Sequence, residues 1–577
     1  MEHENTGKSD LYGNIWRIDL TTKELQIEPV PGSWSQLGGR ALIARVLLDE
    51  VPPNCEPLGQ FNKLIFAPGL LVGHRLSSCD RISIGSKSPL TRGVKEANAG
   101  GKTGLHMARL GIKVLILEGE AAKNSLWTIY LNRDGIKFLN ADGLRGLGVY
   151  ECAKMLVGDF GKKVAISLIG PAGEMKLKAA GIQNLDKDQV PSRIAARGGL
   201  GAVMGTKRVK AIVFDDDGCS DPPVVDIAGF KASKKGYNKA LSDHPQTKVY
   251  FDYGTAAMTQ MCNGFGGMPT RNFSSGVFEV ADKISGEYLR EILLKRAGQS
   301  KTAHACMVGC SIQCSNVFGD AGGEEIVSPI EYETIGLMGS NLGINDLDTI
   351  AKLNYEVNDL GLDSIEIGAA LGVSAEAGLM DFGDGYRALE LVKEIRAGSA
   401  LGRILGNGVD CTGNVLGIER IPAVKKQAIS AYDPRAIKGT GVTYATSPQG
   451  ADHTSGLTIR ANIDHLNPEG QVEVSRTAQF KSAGYDSLGV CAFAGFGFSL
   501  APELISKFLN CRYGWDVSED IVLELGKKCI DLEIMFNKQA GFTNTDDRIP
   551  EWMTLEQLPP HNSVFDVPDA ELDSIFA

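Results

Sequence analysis

Three cysteines, Cys306, Cys310 and Cys314, recur at every fourth position in His304-Ala-Cys-Met-Val-Gly-Cys-Ser-Ile-Gln-Cys314. Thiolates bind zinc or iron–sulfur clusters, and either centre needs a fourth ligand. On one continuous helix the outer thiols would lie ~12 Å apart at ~1.5 Å rise per residue, too far to share a centre. The segment is therefore a plain helix with buried thiols or a bend that gathers them, and Gly309 offers the bend. An iron–sulfur cluster, a zinc site and a core segment all fit this spacing. His304 could complete a zinc site or hydrogen-bond beside the thiols. Cys55, Cys79, Cys152, Cys219, Cys262, Cys411, Cys511 and Cys529 are scattered singly and read as small buried hydrophobes.

Two glycine clusters place bare backbone N–H groups beside a cation: Asn98-Ala-Gly-Gly-Lys102 and Arg197-Gly-Gly-Leu-Gly-Ala-Val-Met-Gly205. Such stretches cradle a phosphate or planar polar group, or mark a turn where backbones cross. Gly101-Lys102-Thr103 is not a P-loop, because Glu96 stands where its first glycine belongs. No Gly-x-Gly-x-x-Gly joins a strand to a helix, and no nucleophile elbow or His-Glu-x-x-His occurs.

The elements that must position these residues change character along the chain. Asn14–Leu20, Lys63–Ala67, Arg81–Ile84, Lys113–Glu118, Val164–Ile169 and Val209–Phe214 read as strands. The turn-rich Asp215–Pro223 is a boundary, and helical spacing follows from about residue 224. A helix over 345–358 stops at Gly361, and the next opens at Asp363 with Glu366 as capping-box partner. Further helices are expected over 385–405 and 498–540, with an irregular tail from about 549. With 577 residues, three domains are expected: a strand-rich base (1–215) and two helical domains (216–410 and 411–577).

The net charge of −11 offers no electrostatic footprint for nucleic acid. The short basic runs Lys207–Lys210 and Lys231–Lys239 read as solvated surface. No apolar run has the ~18–20 residues of a membrane span. The polar Met1–Asp10 has no signal-peptide core, so a cytoplasmic location is expected. Glycine is abundant, 69 of 577 residues, and clustered, which implies many close backbone approaches.

Taken in order, Gly38-Gly-Arg40, Ser77-Ser-Cys-Asp-Arg81, Lys87-Ser-Pro-Leu-Thr91, Asn98-Ala-Gly-Gly101 and Arg197-Gly-Gly-Leu-Gly precede the cysteine cluster. Glu331-Tyr-Glu-Thr334, Asn358-Asp-Leu-Gly-Leu-Asp363, Ala445–His453 and Asp486-Ser-Leu-Gly-Val-Cys491 follow it. In this order and spacing the chain, from about residue 11 to 545, resembles the tungsten-containing aldehyde:ferredoxin oxidoreductases. The resemblance implies an α+β fold: an N-terminal two-sheet domain binding a bis-pterin cofactor, then two mainly α-helical domains. It implies tungsten (molybdenum in some members) held by two pterins, one 4Fe–4S cluster, and Mg2+ bridging the pterin phosphates. Each pterin would bind one motif: Asn358, Gly361, Leu362 and Asp363, or Asp486, Gly489, Val490 and Cys491. Arg81, Asn98, Gly100, Arg197, Gly198, Gly199 and Gln449 fall at cofactor-contacting positions. Cys491 would be the fourth cluster ligand beside Cys306, Cys310 and Cys314, and Arg81 would lie between cluster and pterin. His453 and either Glu331 or Glu333 occupy the proton-handling positions.

The chain departs from the family pattern in four places: the first cysteine gap is one residue longer than usual, Asn358 replaces Asp, Gln449 stands where an arginine is common, and Val490 replaces Leu in the second motif, a mild change. The implied reaction is oxidation of a small aldehyde to its acid, with electrons leaving singly to ferredoxin or a ferredoxin-like subunit, in a homodimer or heteromeric complex. A tungsten-dependent reductase of an aromatic thioester and a non-catalytic, zinc-stabilised relative are the alternatives.

Overall fold

The computed structural model describes residues 11–122 and 124–577. The polar N-terminus read above lies outside them. Two six-stranded sheets form the first part of the chain. The first contains β1 (Asn14–Asp19), β2 (Glu24–Pro29), β3 (Leu64–Pro68), β4 (Ile82–Lys87), β5 (Val94–Ala99) and β6 (Ile112–Glu118). The second contains β7 (Trp127–Asn132), β8 (Gly135–Asn140), β9 (Ala165–Leu168), β10 (Ile182–Asn184), β11 (Arg193–Ala195) and β12 (Val209–Phe214). Their orders, β2-β1-β6-β3-β4-β5 and β8-β7-β12-β9-β10-β11, are the same path walked twice. In each half a hairpin runs parallel to the last strand, and the remaining neighbours are antiparallel. Each half also places a helix before its third strand, Gly39–Glu50 or Val149–Phe160.

The central strands read as unbroken apolar runs because both faces are covered. Leu115 and Leu117 of β6 meet Ile212 and Phe214 of β12 in a core between the sheets. Val114 and Ile116 face the helix Gly39–Glu50, and Ala211 and Val213 face the helix Val149–Phe160. The run Lys207–Lys210 is not solvated surface, whereas Lys231, Lys235 and Lys239 are exposed. Lys207 and Lys210 are buried, with Lys207 Nζ donating to the carbonyls of Asn62 and Gly119, and Lys210 Nζ paired with Glu174 at 2.5 Å. Cations at the start of a central strand can be buried when carbonyls and a carboxylate wait there to receive them.

The rest of the chain is mainly helical, apart from a three-stranded sheet of Lys301–His304, Ser315–Gly319 and Glu325–Val327 and one two-stranded ladder. The helix Leu347–Leu360 opens on Asp346, whose side chain accepts the Thr349 N–H, and closes on Gly361. Its Leu347, Ile350, Leu353 and Val357 are buried. The expected capping box at Asp363 is only half formed: its side chain accepts the Ile365 N–H, but its own N–H is taken by the Ala179 carbonyl. Glu366 is thereby released and reaches inward to the N–H groups of Val409 and Ala428. The tail carries two short helices, Glu551–Leu555 and Asp569–Ser574, rather than being irregular throughout. No helix among the described residues is long and apolar enough to cross a membrane.

Candidate functional site

Residues 305–314 connect two strands without forming a helix. Gly309 at φ +79° supplies the bend that gathers the thiols. Cys491 approaches them from a distant part of the chain. Ser78 makes the junction: its carbonyl accepts the Cys491 N–H at 2.9 Å, and its hydroxyl lies 3.1 Å from the Cys310 sulfur. A Cβ on Gly100 would stand 3.0 Å from the Cys306 sulfur, so this glycine lets the thiol approach the first sheet. Burial pushes the Cys314 thiol well up, and Glu331 and the other three cysteines push the same way. Burial also raises Cys491, against the pull of Arg81. Cys306, Cys310 and Cys491 thus lie near enough to Cys314 to oppose its ionisation, and the Arg81 guanidinium lies near enough to Cys491 to favour its thiolate.

The two motifs of the Asx-x-x-Gly type are the same local structure. Each ends a helix in a Schellman turn, with Gly361 at φ +74° and Gly489 at φ +75°. Leu362 N–H bonds to Val357 O and Gly361 N–H to Asn358 O, while Val490 N–H bonds to Tyr485 O and Gly489 N–H to Asp486 O. Leu362 and Val490 fill the apolar position that follows the glycine. This explains why Val490 is a mild change from leucine.

Each turn docks on the equivalent corner of one sheet. Gly69 follows β3, and a Cβ there would meet Gly489 N at 1.9 Å; Gly170 follows β9, and its Cβ would meet Leu360 O at 2.3 Å. Asp486 accepts from Asn98 Nδ2 at 2.9 Å and from Arg40 at 3.4 Å. Arg81 Nε donates to Asn98 Oδ1, so Arg81, Asn98 and Asp486 form one hydrogen-bonded line beginning beside the thiols. Asp363 instead bonds Arg197 Nε at 3.3 Å. The backbone carbonyl of Asn358 accepts from Gln183 Nε2 at 3.4 Å.

Arg197 is buried and also donates to the carbonyls of Ala428 and Ala451, both at 2.6 Å, and to Ser430 Oγ at 3.1 Å. Gly198 and Gly199 form a left-handed turn against Lys95 and Lys178, a backbone crossing that aims Arg197 into the helical half. Gln449 turns its amide to Glu533, 2.9 Å away. The two glutamates separate. Glu333 Oε1 lies 3.4 Å from His453 Nε2, and its Oε2 accepts the Ala431 N–H at 2.8 Å. Burial raises the Glu333 carboxyl, and His453 pulls it back. Glu331 bonds Thr255 and faces Arg193 at 3.7 Å, on the thiol side.

Sequence reasoning missed Arg193, Ser430 and Tyr432, whose ring lies 5.8 Å from that of His453, and the buried Lys95–Asp452 pair at 2.7 Å. None carries a local spacing signal. Ser78 and Arg40 lay inside recognised motifs but had been given no role.

A family model described as the N-terminal domain of aldehyde ferredoxin oxidoreductase matches residues 15–216, and one described as its domains 2 and 3 matches residues 232–575. The chain belongs to the aldehyde ferredoxin oxidoreductase family. Within this family, the tungsten-containing aldehyde ferredoxin oxidoreductase of Thermococcus kodakarensis is 32% identical over 95% of this chain and 92% of its own length. The Pyrococcus furiosus protein of the same description is 31% identical over the same shares. The WOR-like subunit of an aliphatic sulfonate oxidoreductase from Pyrococcus furiosus is 26% identical over 90% of this chain and 85% of its own length. The aldehyde ferredoxin oxidoreductase fold also matches a solved structure, the active site complex BamBC of benzoyl coenzyme A reductase with 1,5-dienoyl-CoA. Its TM-score is 0.77 at 20% identity, covering 94% of this chain and 91% of that one.

Proposed function

We propose that the chain is a tungsten-dependent oxidoreductase that converts aldehydes to carboxylic acids, R–CHO + H2O → R–COOH + 2 e− + 2 H+, and passes electrons singly through a 4Fe–4S cluster to a ferredoxin-type acceptor. The observation that carries this reading is the hydrogen-bonded line Arg81–Asn98–Asp486, which joins the thiol pocket to the second Schellman turn. Cys306, Cys310, Cys314 and Cys491 would hold the cluster. Among the described residues, no three His, Cys, Asp or Glu side chains lie close enough together to hold a single metal ion.

The turns at Asn358–Asp363 and Asp486–Cys491 would hold one pterin each, with Asp363 and Asp486 offering acceptor oxygens to ring N–H donors. Burial pushes the Asp486 carboxyl up to about 6 even with Arg40 and Arg81 beside it, which fits a group that a further N–H donor would stabilise. Arg81, Asn98, Gly100 and the Arg197-Gly-Gly turn would line the same cofactor, and Mg2+ between its phosphates rests on family membership alone. When bound, the cofactor supplies the two-electron chemistry.

The chain's own residues then manage protons and solvent. Glu333 Oε1 accepts a proton from the attacking water, and His453 Nε2 carries it outward. Tyr432 and Tyr332, both buried, wall the Glu333–His453 pair against bulk solvent. In this reading residues 1–215 are the cofactor base, and the helical parts 216–410 and 411–577 close over it in the cytoplasm. The aldehyde reading is favoured over a thioester reductase by identity of 31–32% along 95% of the chain, against 20% for the reductase structure.

The test is elemental analysis of anaerobically purified protein together with aldehyde-dependent reduction of a viologen dye. Tungsten, about four irons and aldehyde activity are expected. Zinc alone, or tungsten and iron without aldehyde activity, rejects the proposal. Size measurement with and without ferredoxin separates a homodimer from a heteromeric complex.

A further inference from the structure

A cavity of about 220 Å³ lies where β6 of the first sheet meets the end of the helix Leu504–Tyr513. Lys113, Arg109, Arg512, Asp221, Tyr12 and Tyr513 are among its walls. Its charges do not balance. Arg109 is neutralised by Asp216 and by Asp221 at 3.2 Å. Lys113 and Arg512 are 8% and 7% exposed, and neither forms an ion pair among the described residues. Lys113 Nζ has one long hydrogen bond, to Ser35 O at 3.3 Å. Arg512 Nη1 donates to Val72 O at 3.1 Å and touches the His74 ring, while its buried Nε has no partner.

Two cations buried together without a counter-charge cost free energy that an anion between them would recover. We propose that this cavity binds a small oxyanion, a phosphate or carboxylate group, between Lys113 Nζ and the Arg512 guanidinium. The planar guanidinium pairs with two oxygens at once, and the ammonium supplies a point charge. The stacked Tyr12 and Tyr513 rings, 5.5 Å apart, form an aromatic wall that tolerates a short organic group on the anion. Burial, with help from Arg512, pushes Lys113 down to about 7, the behaviour of an ammonium without its partner.

The site is separate from the Glu333–His453 pair but touches the scaffold of the second turn. The carbonyl that Arg512 holds belongs to Val72, and a Cβ on Gly489 would meet Val72 Cγ2 at 2.3 Å. A ligand that fixes Arg512 therefore stiffens the loop against which Gly489 packs.

The experiment is calorimetric titration of the full chain with inorganic phosphate and, separately, with acetate, at ionic strength matched by chloride. Saturable binding at one site per chain is expected, weakened at least tenfold in Lys113→Met and in Arg512→Met and kept in Lys113→Arg. Binding of phosphate alone assigns a phosphate group, and binding of acetate alone a carboxylate. No saturable binding of either ion, or equal binding by the variants, overturns the proposal. Should a variant fail to fold, the unaltered protein decides. Lys113 is labelled with an amine-reactive reagent near neutral pH and quantified by peptide mass spectrometry. Slower labelling under the bound anion supports the site, and an unchanged rate overturns it. None of these readouts depends on tungsten, iron or aldehyde turnover.

Discussion

His453 Nε2 lies 3.4 Å from Glu333 Oε1, while the other oxygen of Glu333 is fixed by the Ala431 N–H. The carboxylate is therefore asymmetric: one oxygen is anchored, and the other is buried without a hydrogen-bond partner. His453 is steadied in turn by Ser430 Oγ, 3.1 Å from its Nδ1. A carboxylate held this way can take up a proton without moving.

Glu333→Gln keeps the Ala431 hydrogen bond and removes the proton acceptor. Aldehyde turnover should fall by about 10²-fold or more with tungsten and iron content unchanged. Glu331→Gln, on the thiol side, should lower turnover far less. Steady-state kinetics on metal-quantified samples compares the two, and equal losses would show that the geometry does not separate the glutamates.

The thiol pocket makes its own prediction. Cys491→Ser should cost most of the iron and abolish the reduced-cluster EPR signal in a chain that still folds. Ser78→Ala should leave the iron in place but shift the cluster's midpoint potential downward, because a hydroxyl 3.1 Å from Cys310 favours the more negative, reduced state. A redox titration followed by EPR reads the shift; no shift would mean that this hydroxyl does not reach the sulfur.

The buried Lys95–Asp452 pair ties the first sheet to the loop carrying His453. Burial alone would raise the Asp452 carboxyl, but Lys95 and Arg197 hold it well below the usual carboxylate range. Its contribution to stability is thus complete above the ordinary carboxylate pKa and fades only in strong acid. Lys95→Met should destabilise the fold by about 3 kcal/mol, read as a lower urea midpoint. A midpoint equal to that of the unaltered chain would show that Arg197 alone suffices.

Asp80 titrates in the opposite sense. Burial pushes its carboxyl from 3.8 up to about 6, with Oδ1 accepting the Gly73 N–H at 2.8 Å and Oδ2 unpartnered. The folded chain then holds a proton that the unfolded chain has released, so stability falls as pH rises between these values, by roughly 3 kcal/mol in all. Asp80→Asn keeps the acceptor and should flatten that slope. Thermal unfolding from pH 4 to 7 measures it, and a slope unchanged in the variant would assign it elsewhere.

Six of the twelve strands of the first domain (β1, β3, β4, β6, β9 and β12), the two Gly-terminated turns and the cysteine bend were legible because each follows from neighbouring residues. Apolar runs between turn residues make strands, and a glycine after a helical stretch makes a Schellman turn whatever lies beyond it. Gly309 marked the bend for the same reason. Partnerships across the chain were not legible. Lys207 and Lys210 looked solvated because nothing nearby in sequence announces the carbonyls and the carboxylate that receive them. Glu366 looked like a capping residue because the sequence does not show Ala179 taking the Asp363 N–H. That Glu333 rather than Glu331, two positions apart, lies beside His453 follows only from the packing of the Ala431 backbone and His453 against it. Periodicity and capping act over a few residues and are written in local order. Counter-charges, orphaned donors and the meeting of Cys491 with Cys310 across Ser78 depend on which distant backbones come into contact, and only the folded chain decides that.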